Sequence, residues 1–196
     1  DMMSVALWVG CIAFSLMYPL TKYSGKLKSG LAWWGSKASV LYLIALLQAA
    51  VMIFMLHLCD GFEPVEMGKT LAVACLASVA FMSVMYFFTN TFGKVGSFLM
   101  LVFMVIQLAG SVGTYPLELS GSFVPYLHDW VPFTYTVEAF RSTISGGESI
   151  QEAVIFLTVL WIVFTLLTIL EFQIRTLKMK RGKRTLDNWL EEKGLA

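Results

Sequence analysis

Gly68-Lys69-Thr70 has the residue types that close a phosphate-binding loop, in which backbone N–H groups and a lysine cradle a nucleotide's phosphates. That loop needs a glycine five positions before Gly68, and Glu63 stands there, so the tripeptide is a decoy. His57 and His128 are the only histidines and have no clustered ligands beside them, so no metal site is expected. No serine–histidine or paired-carboxylate spacing suggests hydrolysis. Neither a catalytic centre nor a cofactor is expected, and the protein does not read as an enzyme. Glu171 is the one carboxylate inside an apolar run, whereas a proton relay needs several. Energy for any transport must then come from another subunit. Gln48 and Gln107 fall near the middle of apolar runs, where an amide gains about 0.6–2 kcal/mol from a partner. Each reads either as an interhelical hydrogen bond or as a contact on a substrate path.

The elements that hold these residues are apolar runs. The chain is 58% hydrophobic and 14% charged, against about 25% charged for a soluble domain. This composition describes an all-α membrane protein in contact with a lipid bilayer. Five runs approach the ~20 residues a spanning helix needs, at 2–20, 39–58, 70–89, 95–115 and 153–174. Residues 1–175 form the membrane domain, with a segment at 116–151 outside the membrane, and 176–196 form a basic tail. No basic stretch precedes the first run, so it is not an ordinary signal peptide. Cys11, Cys59 and Cys75 are read as small buried hydrophobes rather than a disulfide framework or metal site.

Net charge is only +1, but the charges are segregated along the chain, and no nucleic-acid partner is expected. Lys22, Lys26, Lys28 and Lys37 fill the first connection, Lys94 the third, and Arg175, Lys178, Lys180, Arg181, Lys183, Arg184 and Lys193 the tail. Placing these in the cytoplasm leaves only Lys69 and Arg141 outside, as the positive-inside tendency requires. The N-terminus of the chain is then outside the cell and the C-terminus inside. A chain that starts outside needs an earlier span or a cleaved signal, so an extracellular region and a sixth helix are expected before Asp1.

Between Pro132 and Ser145, Phe133, Val137, Phe140 and Ile144 share one helical face. Pro132 suits the first helical position, and Gly146-Gly147 suits the stop. Glu138 and Arg141 are spaced to pair on the polar side. Such a helix is about 21 Å long, too short for a bilayer core of about 30 Å. It must lie at the extracellular interface or dip in and return, with its apolar face on the ends of the fourth and fifth runs. Gly110, Ser111 and Gly113 permit close helix approach. Trp33, Trp34 and Trp130 sit at expected interfaces, while Trp8 and Trp161 lie deeper and are read as facing lipid.

Four blocks occur in order: Ser4-Val5-Ala6-Leu7-Trp8-Val9-Gly10; Leu46-Leu47-Gln48; Gly113-Thr114-Tyr115-Pro116-Leu117-Glu118; and Val131-Pro132-Phe133-Thr134-Tyr135-Thr136-Val137-Glu138-Ala139-Phe140-Arg141 with Ser145-Gly146-Gly147. Together they resemble the C-terminal membrane region of the phage infection protein family (YhgE/Pip-like), itself similar to type-2 ABC exporter permeases. The resemblance implies one N-terminal span, a large extracellular domain and five C-terminal spans in a bacterial cell membrane. It also implies a homodimer that exports a lipid-linked or hydrophobic molecule with a cytoplasmic ATPase. Leu27, Leu31, Trp33 and Trp34 would give that ATPase a ridge to grip, or would lie on lipid headgroups as a short interfacial helix. Two other roles fit the same family: an anchor for an extracellular domain used as a phage receptor, and an accessory subunit of a protein secretion system.

Overall fold

A chain this apolar must satisfy its peptide groups within itself, and a helix does so segment by segment. The computed structural model describes residues 2–18, 29–110, 124–147, 149–181 and 192–194. Its helices are α1 (Met2–Met17), α2 (Gly30–Asp60), α3 (Met67–Phe92), α4 (Lys94–Gly110), α5 (Val124–His128), α6 (Pro132–Ser145) and α7 (Gln151–Lys180). Among the described residues three helices, α2, α3 and α7, are long and apolar enough to cross a membrane. α1 and α4 are apolar but have 16 and 17 residues, so each is about 24–26 Å long. Residues 111–115, expected to extend the α4 run, lie outside the described residues.

α3 is the centre of the bundle and packs against α1, α2, α4, α6 and α7. Its buried Ala74, Ala77, Ser78 and Ala80 are small enough for neighbours to approach closely. Several hydroxyls along the bundle return to their own helices and so are satisfied away from water, Ser83 to Val79, Thr168 to Phe164 and Thr176 to Phe172 among them.

Connections are fixed by glycine and by capping. Gly93, with φ 60°, joins α3 to α4. A Cβ at Gly96 would lie 2.6 Å from the Phe88 carbonyl carbon, so only glycine lets α4 pack this closely on α3. α2 ends at Gly61 in the left-handed region (φ 62°). The connector beyond it caps α6: Val65 N–H donates to Ile144 O at 3.1 Å and Glu66 N–H to Thr143 O at 3.2 Å. Two of the carbonyls left open at the end of α6 are thereby satisfied.

The start of α2 corrects the sequence reading. Residues 30–38 were expected in a connection, and instead they form the first turns of α2. Ser29 caps it, its Oγ accepting from Ala32 N–H at 3.1 Å, and nothing between Leu31 and Ser39 breaks a helix. Lys37 does not unwind it either, because its Nζ lies 4.9 Å over the Tyr18 ring.

Candidate functional site

The first turns of α2 rest directly on α7. A Cβ at Gly30 would lie 2.5 Å from Gln173 N and 2.7 Å from Phe172 C, so the two backbones touch there. Trp33, 3% exposed, meets the fully buried Phe172 edge-on at 4.6 Å. On its other side Phe172 lies 5.7 Å from Tyr86 of α3. Trp33 therefore does not stand in a ridge with Leu31. Leu31 is exposed, Trp34 is half-buried and 6.4 Å from Tyr42, and Leu27 lies outside the described residues. The reason is the helix itself: in one continuous helix over Gly30–Asp60, Trp33 lies on the side opposite Leu31, whereas Leu31 and Trp34, at i and i+3, share a face.

Beside Phe172 a charged cluster ties α7 to the end of α3. Glu171 Oε1 accepts from Arg175 Nη2 at 2.6 Å, and Oε2 accepts from Thr91 Oγ1 at 2.7 Å. Arg175 is buried and also donates to the backbone carbonyl of Asn90 and, at 3.5 Å, to its side-chain oxygen. Sequence reasoning placed Arg175 in the tail and missed this cluster, although Glu171 and Arg175 are spaced i, i+4 on one face. Removing one partner of a buried pair strands the other charge, at a cost of about 3–5 kcal/mol.

Midway along the bundle, Gln48 joins three helices. Its Nε2 donates to Ser78 Oγ at 2.7 Å, to Cys11 Sγ at 3.1 Å and to Leu7 O at 3.3 Å, while Ser78 Oγ donates to Ala45 O at 2.6 Å. Gln48 is thus engaged between α1, α2 and α3. Gln107 differs: it is fully buried in α4, and neither amide atom has a hydrogen-bond partner among the described residues.

α6 reaches deep along α3. Its C-terminal end lies beside Val65 and Glu66, where α3 begins, whereas Phe133 at its other end lies 5.7 Å from Phe81. The two helices are therefore antiparallel, and Phe133 sits about 21 Å down α3 from Met67. Trp8 completes the cluster, 4.9 Å from Phe81 and 5.6 Å from Phe133, with its Nε1–H donating to Met100 O at 3.2 Å. Trp8 is fully buried, so its reading as a lipid-facing residue is corrected. The indole N–H finds a carbonyl only inside the bundle.

Phe133, Val137 and Phe140 are buried along the apolar face of α6, which packs on α3 as well as on α4 and α7. Glu138 and Arg141 do not pair. Glu138 Oε1 instead faces His128 Nε2 at 3.9 Å, and Arg141 is exposed. A Cβ at Gly110 would meet Val131 and Leu127 at ordinary contact distances of 3.6 and 3.7 Å, so no close approach demands glycine there, while Ser111 and Gly113 lie outside the described residues. Cys11 is buried, Cys75 half-buried and Cys59 exposed, all three as free thiols. Among the described residues no group of three metal-ligating side chains converges. The arrangement positions helices against one another.

Among the described residues the chain is a bundle of helices, three of them long and apolar enough to cross a membrane. Residues 24–170 match the family described as ABC-2 family transporter protein, so the chain belongs to that family of transporter membrane components. It is also similar to YhgE of Bacillus subtilis (strain 168), with 33% identity over 146 residues, or 74% of this chain. The match covers 19% of YhgE, so the chain spans under a fifth of that relative's length. No solved structure matches the chain.

Proposed function

We propose that this chain is the membrane-spanning part of an ABC-type exporter that moves a lipid-linked or hydrophobic molecule out of the cell. In this reading it works as a homodimer with a cytoplasmic ATPase. α1, α2, α3, α4 and α7 all cross the membrane, the Asp60 end of α2 and the α6 segment face outward, and the tail lies in the cytoplasm. The observation that carries the reading is the backbone contact between Gly30 and Phe172–Gln173. An ATPase engaging the residues before Ser29 would push the start of α2. Steric contact there passes the push to α7 and, through Phe172 and Tyr86, to α3. α3 carries Phe81, on which the tip of α6 is seated. Movement at one end can therefore unseat α6 at the other, as an alternating-access exporter requires.

The test is co-purification of the ATPase from the native membrane. Leu31→Glu and Trp34→Ala change an exposed and a half-buried side chain on one face at the start of α2, and they should abolish the partner's recovery while leaving membrane insertion intact. Trp33→Ala should instead lower stability. If no ATPase is recovered with the unaltered protein, the anchor reading replaces export. In that reading the chain holds an extracellular domain of the size that YhgE's greater length allows, serving as a phage receptor or as part of a secretion system.

A further inference from the structure

We propose that the cleft between α3 and α7, beside the Glu171–Arg175 pair, is a binding site for an anionic phospholipid. The cleft is about 320 Å³, and its α7 wall changes character along its length. Leu167, Leu170 and Ile174 are exposed apolar side chains, and Glu171, Arg175 and Lys178 share the same wall. An occupant must therefore be amphipathic, with a chain along the leucines and a polar head at the Lys178 end. The sign of the head follows from the hydrogen bonds. Glu171 accepts from Arg175 at 2.6 Å on one carboxylate oxygen, the Thr91 hydroxyl, shared with Phe87 O, lies 2.7 Å from the other, and its charge is balanced by the guanidinium. An ammonium headgroup would find that acceptor engaged. Lys178 lines the cleft and is exposed, so the charge left at the mouth is positive. A lipid phosphate suits it, and inorganic phosphate would leave the apolar wall unfilled.

Native mass spectrometry of the protein released from nanodiscs tests this, with phosphatidylglycerol and phosphatidylcholine offered in equal amounts. Phosphatidylglycerol should be retained preferentially. Lys178→Gln should weaken its retention about fivefold, the effect of one basic residue on anionic lipid. Leu170→Trp fills the cleft without changing charge and should lose the lipid as well. Lys69→Gln, on an exposed residue at the other end of α3, should change nothing. Equal retention of both lipids would overturn the proposal. So would equal losses from Lys178→Gln and Lys69→Gln, full retention by Leu170→Trp, or displacement of the lipid by inorganic phosphate.

Discussion

The Trp33 and Phe172 rings meet edge-on, with 4.6 Å between centroids and 61° between planes. This pair seats the beginning of α2 on the last third of α7, and Tyr86 closes the other side of Phe172 at 5.7 Å. One aromatic side chain thus locks three helices at the end of the bundle where the basic tail leaves.

The glycine below that lock should be intolerant of substitution. Gly30→Ala places a methyl 2.5 Å from Gln173 N and 2.6 Å from its Cα, backbone atoms that cannot rotate away. Its melting temperature in detergent should fall. Gly35→Ala enters open space and should hold or gain stability, by up to about 1 kcal/mol. Matching melting temperatures for the two variants would mean that α2 does not rest on α7.

The Glu171–Arg175 cluster predicts strong coupling. Arg175→Met should destabilise the protein by leaving the part-buried Glu171 carboxylate without its guanidinium. Combining it with Glu171→Gln should recover much of that loss, since neither charge then remains buried. A double-mutant cycle in chemical denaturation reads the coupling. Additive losses would show that the two side chains act independently.

α6 should be held by its apolar face. Phe140 is 4% exposed and Arg141 is exposed. Burying one large apolar side chain contributes about 1.5–3 kcal/mol, so Phe140→Asp should destabilise the protein far more than Arg141→Ala. Should both unfold alike while Arg141→Ala alone abolishes function, α6 acts through its polar side.

The two glutamines of the apolar helices α2 and α4 should respond in opposite directions. Gln48→Leu removes the amide that bonds within the Ser78, Cys11 and Leu7 O cluster and should destabilise the protein. Gln107→Leu removes an amide without a partner among the described residues, and a buried unsatisfied group costs about 1–3 kcal/mol. Thermal unfolding should therefore show Gln107→Leu at or above the parent. A loss of export in that stable variant would place Gln107 on the substrate path, and a fall in melting temperature would give it a structural partner.

Orientation can be read from thiols. Cys59 is exposed at the end of α2, whereas Cys11 is buried and Cys75 half-buried. A membrane-impermeant maleimide should label Cys59 in intact cells. Lys193→Cys, in a Cys59→Ser background, should be labelled only after permeabilisation. The opposite pattern would reverse every assignment of sides made from charge.

Several elements were legible because they depend on local chemistry. The 14-residue stretch from Pro132 to Ser145 is helical where its i, i+4, i+7 periodicity, proline start and glycine stop indicate. α3 and α4 are joined through Gly93 with no loop to speak of, in keeping with the short third connection. The charge list also separates apolar runs from connections, because lipid tolerates few ionised groups.

The sequence by itself determined that the chain is a membrane protein built from apolar helices, with a short amphipathic helix that cannot cross. Composition and run length suffice for that, since only self-satisfied backbones survive in lipid. Only the tertiary structure decided which faces meet. Where lipid is as apolar as the core, a hydrophobic stripe no longer separates inside from outside, and a fully buried Trp8 has the same sequence signature as a lipid-facing one. The seat of Trp33 on Phe172, the three-helix engagement of Gln48 and the attachment of Arg175 to Asn90 join distant parts of the chain. Such contacts depend on close approach at small residues and on hydrogen bonds with no alternative partner in lipid. They become visible only once the helices are packed.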